Sequence, residues 1–176
     1  MKFLYLIMGK SGSGKDTIAD MLCSDHDMRK LISYTTRRQR PNEKNTHIFV
    51  SRRDYYKMEF KGIIAAQTVI NNEYYWSTLE QIEKSDLYVI DPIGALELMD
   101  AVYRPVKVIY IDADYETRKN RMRKRGDREI DIALRLKNDE LDFKDAKALA
   151  DIVIKNDSLY AAVGEILRFI RRQEQS

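Results

Sequence analysis

The strongest constraint on the fold is a glycine-rich loop that directly follows the pattern of a buried strand. Residues 3–8, "FLYLIM", form a continuous apolar run, which is typical of a central parallel strand buried on both faces. The run leads into "GKSGSGKDT", residues 9–17, with the spacing G-x-x-x-x-G-K. Apolar Ile18, Met21 and Leu22 then predict a helix over 15–23. Strand, glycine loop and helix in this order predict a phosphate site built from backbone N–H groups and a helix N-terminus.

The loop departs from its common form at one position. A Ser or Thr hydroxyl usually follows the lysine and meets Mg²⁺, whereas this chain has Asp16. A carboxylate is a good ligand for a hard cation, and Thr17 offers a hydroxyl one position later. We therefore expect Lys15 to reach the β- and γ-phosphates, with Asp16 and Thr17 as the metal ligands. The alternative is a glycine turn that binds nothing, which the preceding apolar strand disfavours.

Length and composition limit the class of protein. A chain of 176 residues suits one domain with a sizeable core. Its net charge is only +3, which argues against a general nucleic-acid coat. A single cysteine, Cys23, excludes an internal disulfide and a Cys-based zinc site. No apolar run approaches the roughly 18–20 residues of a membrane span, and the N-terminal run reads as a strand and not a signal peptide. We expect a cytoplasmic protein with neither a membrane nor a nucleic-acid partner.

The remaining pattern predicts an α/β fold. Further strands are expected at 87–90, 106–111 and 152–154, and further helices at 95–101, 115–124, 131–150 and 159–171. This alternation predicts a parallel sheet that is covered by helices on both faces. Residues from about 33 to 77 differ, because short strand or turn patterns surround a helical segment near 54–60. We interpret this stretch as an inserted α+β lobe.

Two arginine clusters are candidates for anion binding. In "SYTTRRQRPNE", residues 33–43, Arg37 and Arg40 are three positions apart and could converge on one anion. The alternative is a solvated basic loop. In residues 118–136, Arg118, Arg121 and Arg125 fall on one helical face before Gly126 breaks the helix. The alternative there is an exposed basic helix or an RNA-binding patch.

An ordered series of motifs resembles the guanylate kinase family. The series is "S-x-T-T-R-x-x-R-P-x-E", then "F-V-S", then "N-x-Y-Y-x-S/T", and the likeness runs from the glycine loop to "IKNDS" near the end. The resemblance implies a P-loop kinase fold in one domain, 1–176. It implies a core of 1–32 and 79–176, a lobe at 33–78 that binds a nucleoside monophosphate (NMP), and an arginine-rich lid at about 118–136.

The resemblance also implies an activity, Mg²⁺-dependent phosphoryl transfer from ATP to an NMP by a monomer or homodimer. The implied catalytic residues are Lys15, Arg121, Arg125 and Arg135. The residues expected to bind ATP, including those of the glycine loop, are Gly9, Ser11, Gly12, Ser13, Gly14, Lys15, Asp16, Thr17, Asn156 and Asp157. Asn156 and Asp157 would lie near the adenine, or would simply precede a helix cap. The residues expected to bind the acceptor are Ser33, Arg37, Arg40, His47, Gln67, Tyr75, Ser77 and Asp91.

Departures from the family pattern affect the acceptor. A gapless comparison places Ala66 where the family has the glutamate that binds guanine, and an alanine cannot accept those hydrogen bonds. Gln67 is adjacent and could read a base edge after a one-residue shift. Trp76 falls where the family usually has glycine and is expected to crowd the pocket, while Tyr74 is expected to pack under the lobe. His47 falls near the usual phosphate-binding tyrosine of the family. It either donates a hydrogen bond to the acceptor phosphate or is a surface-loop histidine.

The sequence therefore favours GMP or dGMP and leaves alternatives open. A kinase of the same fold could act on another or modified dNMP, or on a ribose bisphosphate. A non-catalytic guanylate-kinase-like binding module is a different class, which the presence of Lys15 and the lid arginines disfavours.

Overall fold

Strands and helices alternate along the described chain, residues 2–39 and 46–175 of a computed structural model. The first half contains β1 (Leu4–Met8), α1 (Lys15–His26), β2 (Lys30–Leu31), β3 (Tyr34–Thr35), β4 (Ile48–Phe49), α2 (Arg52–Phe60), β5 (Ile64–Ile70), β6 (Glu73–Thr78) and α3 (Leu79–Lys84). The second half contains β7 (Leu87–Val89), α4 (Pro92–Ala101), β8 (Val106–Asp112), α5 (Tyr115–Arg125), α6 (Glu129–Asp142), a 3₁₀ turn (Ala146–Leu149), β9 (Ile152–Lys155) and α7 (Leu159–Glu174).

The main sheet is parallel, with strand order β2-β7-β1-β8-β9. Every residue of the central strand β1 is buried, as its unbroken apolar run predicts. Leu4, Leu6 and Met8 join the core cluster that includes residues of α3 and α4. Tyr5 and Ile7 join the opposite cluster, against α1 and α7. The predicted α/β class, a parallel sheet covered on both faces, is confirmed.

A second sheet with order β4-β3-β6-β5 lies between β2 and α3 in the chain. Strands β5 and β6 form an antiparallel hairpin whose turn, Asn71–Asn72, has the positive φ angles that tight hairpins require. On one face of β6 the Tyr74 ring stacks on Tyr55 at 4.0 Å between centroids, and Trp76 lies edge-on to Tyr55. Tyr74 therefore packs under the lobe, as predicted.

The prediction that Trp76 crowds the acceptor pocket is wrong. Successive side chains of a strand point to opposite faces, so Trp76 shares the buried face of Tyr74 and not the face of Tyr75. Its side chain is 1% exposed, and its indole N–H points to Met58 Sδ at 3.4 Å. The bulk of Trp76 fills the core of the lobe.

Other element predictions need correction at their ends. The helix expected over 131–150 ends at Asp142, and the 3₁₀ turn follows. Phe143 lies edge-on to the buried Tyr110 ring, which draws the chain out of the helical path. Helix α4 begins at Pro92 and not at 95, because Asp91 caps it by accepting a hydrogen bond from Gly94 N at 2.9 Å. The short elements β2 and α3 were not predicted.

Asp86 fixes the start of β7 against the beginning of the chain. Its side chain is 3% exposed and accepts from Arg29 N and Nε, each at 2.9 Å, and from Lys2 Nζ at 2.9 Å. Burial alone would raise the pKa of Asp86, but the hydrogen bonds from Arg29 and Lys2 outweigh it and hold the pKa well below its usual range. Asp86 therefore loses its proton more readily in the folded protein than in the unfolded chain.

We expect Asp86→Asn to lower the free energy of unfolding by about 1–3 kcal/mol at pH 7, because charged hydrogen bonds are lost. A depressed native pKa stabilises the fold above the unfolded pKa of about 4, and this contribution is lost as the pH falls below that value. The difference between wild type and variant should therefore shrink from pH 5 to pH 3 in urea unfolding. A difference that grows toward acid would contradict this account. Asp100→Asn, on an exposed turn of α4, is the control.

Candidate active site

The glycine loop joins β1 to α1 and leaves no room for side chains at Gly9, Gly12 and Gly14. Gly12 and Gly14 have φ angles of +75° and +90°, which favour glycine. A Cβ at position 12 would lie 2.6 Å from the carbonyl oxygen of Arg118, and one at position 14 would collide with the Asn156 amide. The loop is therefore pressed against α5 and the end of β9, and its shape depends on both.

The carbonyl oxygen of Ser13 anchors the loop from below. It accepts from Arg121 Nη1 at 3.0 Å and from Asn156 Nδ2 at 2.7 Å, and Arg121 Nη2 also donates to the Asn156 carbonyl at 2.8 Å. Asn156 is fully buried beneath the loop, and its proximity to the adenine stays a prediction. Asp157 is exposed next to Lys155, and Ser158 occupies the N-cap position of α7.

A buried ion pair joins the same loop to the helix pair α5 and α6. Asp139 accepts from Ser11 N at 2.9 Å, from Ser11 Oγ at 3.0 Å and from Arg118 Nη1 at 2.9 Å. The Arg118 and Asp139 side chains are 3% and 8% exposed. Burial raises the pKa of Asp139, while the Ser11 hydrogen bonds and the Arg118 charge oppose the rise. The helical spacing predicted one anion-binding face for Arg118, Arg121 and Arg125. Arg118 is instead buried in the ion pair with Asp139.

Two cavities meet at the loop. The larger, about 770 Å³, runs from the loop toward the second sheet, and the smaller, about 390 Å³, lies between the loop and α5. Four residues line both: Ser11, Lys15, Asp16 and Arg135. Arg125, which is ion-paired with Asp127, lines the smaller cavity. Lys15, Arg121, Arg125 and Arg135, the predicted catalytic residues, all line the smaller cavity, and Arg121 also supports the loop through Ser13.

The larger cavity has a polar end formed by the lobe. Arg37 Nε donates to Tyr75 Oη at 3.1 Å, and Ser33 Oγ lies 2.9 Å from His47 Nδ1. The His47 ring is also edge-on to Tyr75, at 5.4 Å between centroids. The structure therefore brings together Ser33, Arg37, His47 and Tyr75. Arg40, predicted to join them, lies outside the described residues.

The far end of this cavity differs from the prediction. Gln67 was expected to read a base, but its side-chain oxygen accepts from Tyr55 on the buried aromatic face of the lobe. Gln67 pairs with Trp76 and shares its face, yet it also borders the cavity, so a contact with the base stays a prediction. Thr68 pairs with Tyr75 and lines the cavity as well. Pairing the two strands outward from the Asn71–Asn72 turn, Ile70 with Glu73 first, would have placed Thr68 opposite Tyr75.

Tyr88 is the second group that sequence reasoning missed. It lines the larger cavity on the core side, together with Asp91, while Ser77 is fully buried. Burial raises the pKa of Tyr88 to about 12; the nearby hydroxyls of Ser77 and Ser33 oppose this rise, and the charge of Asp91 adds to it. Ser77 Oγ has no well-formed hydrogen bond among the described residues. Tyr88 therefore presents a neutral phenol at the cavity wall, where Ser77 was expected.

The loop also offers oxygen ligands for a cation. Asp16 is exposed in the first turn of α1, with one oxygen 3.6 Å from Lys15 Nζ, and Asp16 and Thr17 both line the smaller cavity. Over the described residues, no cluster of three or more His, Cys, Asp or Glu side chains forms a metal site by itself. A cation at Asp16 and Thr17 therefore needs phosphate oxygens to complete its coordination.

A parallel sheet, a glycine loop on its central strand and two cavities that share a lysine and an arginine define a P-loop phosphotransferase. The family comparison agrees, since a model described as guanylate kinase matches residues 1–173. The chain belongs to the guanylate kinase family.

Individual relatives support the same assignment. A guanylate kinase of Nostoc sp. is 30% identical over 173 residues, which cover 93% of this chain and 86% of the relative. One from Syntrophus aciditrophicus is 30% identical over 184 residues, covering 99% and 87%. The crystal structure of guanylate kinase from Anaplasma phagocytophilum aligns with a TM-score of 0.74 at 21% identity, covering 99% and 87%. At that identity the structural match supports the P-loop kinase fold.

Within residues 2–39 and 46–175, no helix combines the length and apolar character needed to cross a bilayer.

The buried ion pair gives a testable stability prediction. Asp139→Leu leaves Arg118 buried with only the exposed Glu140 at 3.4 Å, so we expect a loss of about 3 kcal/mol in the free energy of unfolding. The double variant Arg118→Met/Asp139→Leu should regain most of that loss, because an apolar pair leaves no buried charge. Urea unfolding measures both. Glu129→Gln, in the exposed pair with Arg123, should change stability by less than about 1 kcal/mol. A double variant no more stable than Asp139→Leu would refute this interpretation.

Proposed function

We propose that this nucleoside monophosphate kinase transfers the γ-phosphoryl group of ATP to GMP or dGMP, forming ADP and the nucleoside diphosphate. The observation that carries the proposal is the meeting of two cavities at Lys15 and Arg135. A donor nucleotide in the smaller cavity and an acceptor in the larger would place their phosphates at these same two cations. We infer that the enzyme acts in the cytoplasm, as a monomer or homodimer.

We assign acceptor-phosphate binding to the polar end of the larger cavity. Arg37 and Tyr75 are already hydrogen-bonded to each other, and Ser33 is already paired with His47, so little side-chain ordering is needed on binding. Arg40, from the same motif, is proposed as a further phosphate ligand. An arginine can donate two parallel hydrogen bonds to a phosphate, which fixes its orientation.

The reaction depends on positioning and charge neutralisation, because phosphoryl transfer needs little covalent help from the protein. The loop N–H groups and Lys15 would hold the ATP phosphates, while Arg125 and Arg135 neutralise charge on the transferred group. One acceptor phosphate oxygen then forms the new bond to the γ-phosphorus as the bond to the ADP oxygen breaks. Closing the cavity around both nucleotides excludes water, which would otherwise compete as the acceptor.

We also propose that Asp16 and Thr17 hold Mg²⁺ together with the ATP phosphates. Both residues supply oxygen ligands, and both face the smaller cavity beside the loop. When bound, the cation supplies additional neutralisation of phosphate charge. Asp157, exposed at the start of α7, is proposed to lie near the adenine.

The central prediction concerns the loop. We expect Lys15→Ala to lower kcat by about 100- to 1000-fold, because a charge that stabilises the transferred group is removed. Lys61→Ala, an exposed lysine at the end of α2, is the matched control and should leave turnover unchanged. ADP release measures both. Wild-type turnover in Lys15→Ala would refute the kinase mechanism.

A second variant tests the cation ligand. Asp16→Ser should retain turnover but shift the Mg²⁺ concentration that gives half-maximal rate, because the carboxylate ligand becomes a hydroxyl. Titration of Mg²⁺ at saturating ATP measures the shift. An unchanged titration would remove Asp16 from the proposed metal site.

Ala66 lines the cavity but has no side-chain group that binds a base. Other phosphate acceptors therefore need to be tested. ADP production should be compared across NMPs, dNMPs and ribose bisphosphate. We expect a strong preference for GMP or dGMP. Preference for another acceptor would support a kinase with a different acceptor. The absence of turnover in a folded, ATP-binding protein would support a binding module.

A further inference from the structure

The base end of the larger cavity has an unusual distribution of polar groups. On the lobe side, β5 contributes Ala66, Gln67 and Thr68, and the side-chain oxygen of Gln67 is already bonded to Tyr55. On the core side, the segment that ends β7 contributes Tyr88 and Asp91. A base edge that is rich in N–H groups requires hydrogen-bond acceptors from the protein. These acceptors are on the core side, in the carboxylate of Asp91, which follows β7.

Asp91 is held by one bond from each side of the cavity. Its Oδ1 accepts from Gly94 N at 2.9 Å, at the start of α4, and its Oδ2 accepts from Thr68 Oγ1 at 3.3 Å. Thr68 is 8% exposed and makes this bond across the junction between the two sheets. A carboxylate has about four acceptor positions, so each oxygen retains one for a ligand. Two adjacent acceptors match two parallel N–H donors.

Tyr88 places a donor next to this pair of acceptors. Because the phenol is neutral at physiological pH, its O–H is available to donate to a carbonyl oxygen. Tyr88 and Asp91 line the same cavity, from β7 and the N-cap of α4. The core side of the larger cavity therefore presents one hydrogen-bond donor, the Tyr88 hydroxyl, beside two acceptors, the Asp91 carboxylate oxygens.

We propose that Thr68 is a positioning residue for acceptor specificity, which orients Asp91 to accept the ring N–H and exocyclic amine of a 6-oxo-2-aminopurine while Tyr88 donates to the 6-oxo group. This inference rests on the proposed function and names the base feature that the acceptor carries. Asp91 and Tyr88 would then supply the hydrogen bonds that Ala66 cannot make. The bond from Thr68 matters because a carboxylate that rotates freely loses the second of its two parallel contacts.

Other bases fit this arrangement less well. Adenine presents a ring acceptor where Asp91 needs a donor, and hypoxanthine lacks the exocyclic amine. Uracil and thymine place a second carbonyl opposite a carboxylate oxygen, where two acceptors would repel each other. A site built on such bonds rejects a ligand that leaves them unmade, because buried polar groups then lose their partners.

The test compares GMP with IMP, which differ only in the exocyclic amine, in wild type, Thr68→Val and Thr68→Ser. We expect Thr68→Val to raise KM for GMP about tenfold with kcat within about twofold, and to lower the GMP-to-IMP ratio of kcat/KM. Thr68→Ser keeps the hydroxyl and should restore both values. Tyr88→Phe should weaken GMP and IMP equally and leave the ratio unchanged, since both carry the 6-oxo group.

Controls separate this proposal from a general effect on the lobe. Val69→Ala changes the exposed neighbour of Thr68 on the same strand and should leave both KM values unchanged. KM for ATP should be unaltered in every variant. An unchanged KM for GMP and an unchanged ratio in Thr68→Val would overturn the inference, as would a Thr68→Ser variant as impaired as Thr68→Val. Wild-type protein that turns over no NMP would instead refute the proposed function.

Discussion

The structure depends on the anchoring of one backbone carbonyl, that of Ser13. A phosphate loop must turn its N–H groups toward the ligand, which leaves its carbonyl groups facing the protein and in need of donors. Arg121 and Asn156 supply those donors from α5 and from the end of β9. Elements more than 100 residues apart in sequence therefore meet at the loop. The central position of β1 in the sheet makes this possible, since β8 and β9 lie side by side next to it.

The same anchoring changes how the arginines of α5 are understood. A run of basic residues suggests a surface that waits for phosphate, yet Arg118 is buried against Asp139 and Arg121 holds loop and strand carbonyls. Arg121 also borders the smaller cavity, as do Arg125 and, from the following helix α6, Arg135. Charge in this region thus has two purposes. Part of it fixes the loop within the fold, and part of it lines the cavities in which we propose that the phosphates bind.

Sequence patterns predicted the sheet and the loop well, because burial of β1 and the glycine spacing are local signals. They failed where a side chain's direction depends on strand register. Ala66, Gln67 and Trp76 were assigned from a linear comparison, whereas the pairing of β5 with β6 decides which of them faces the cavity. Tyr88 carries no motif, so only the approach of the two sheets reveals it, whereas Thr68 follows from pairing the strands outward from the Asn71–Asn72 turn. The pairing of Arg118 with Asp139 likewise joins two helices that spacing alone cannot relate.

The ion pair between Arg118 and Asp139 has a consequence for how this chain can diverge. Either residue alone is a liability when its partner is lost, because a buried charge then has no compensation. Substitutions at the two positions are therefore expected to occur together within a lineage, passing from a charged pair to an apolar pair with few viable intermediates. The hydroxyl at position 11 depends on the same pair, because Ser11 Oγ donates to Asp139. If Asp139 is replaced by an apolar residue, a hydroxyl at position 11 loses this acceptor. The history of the loop is in this way linked to that of a helix 128 residues further along the chain.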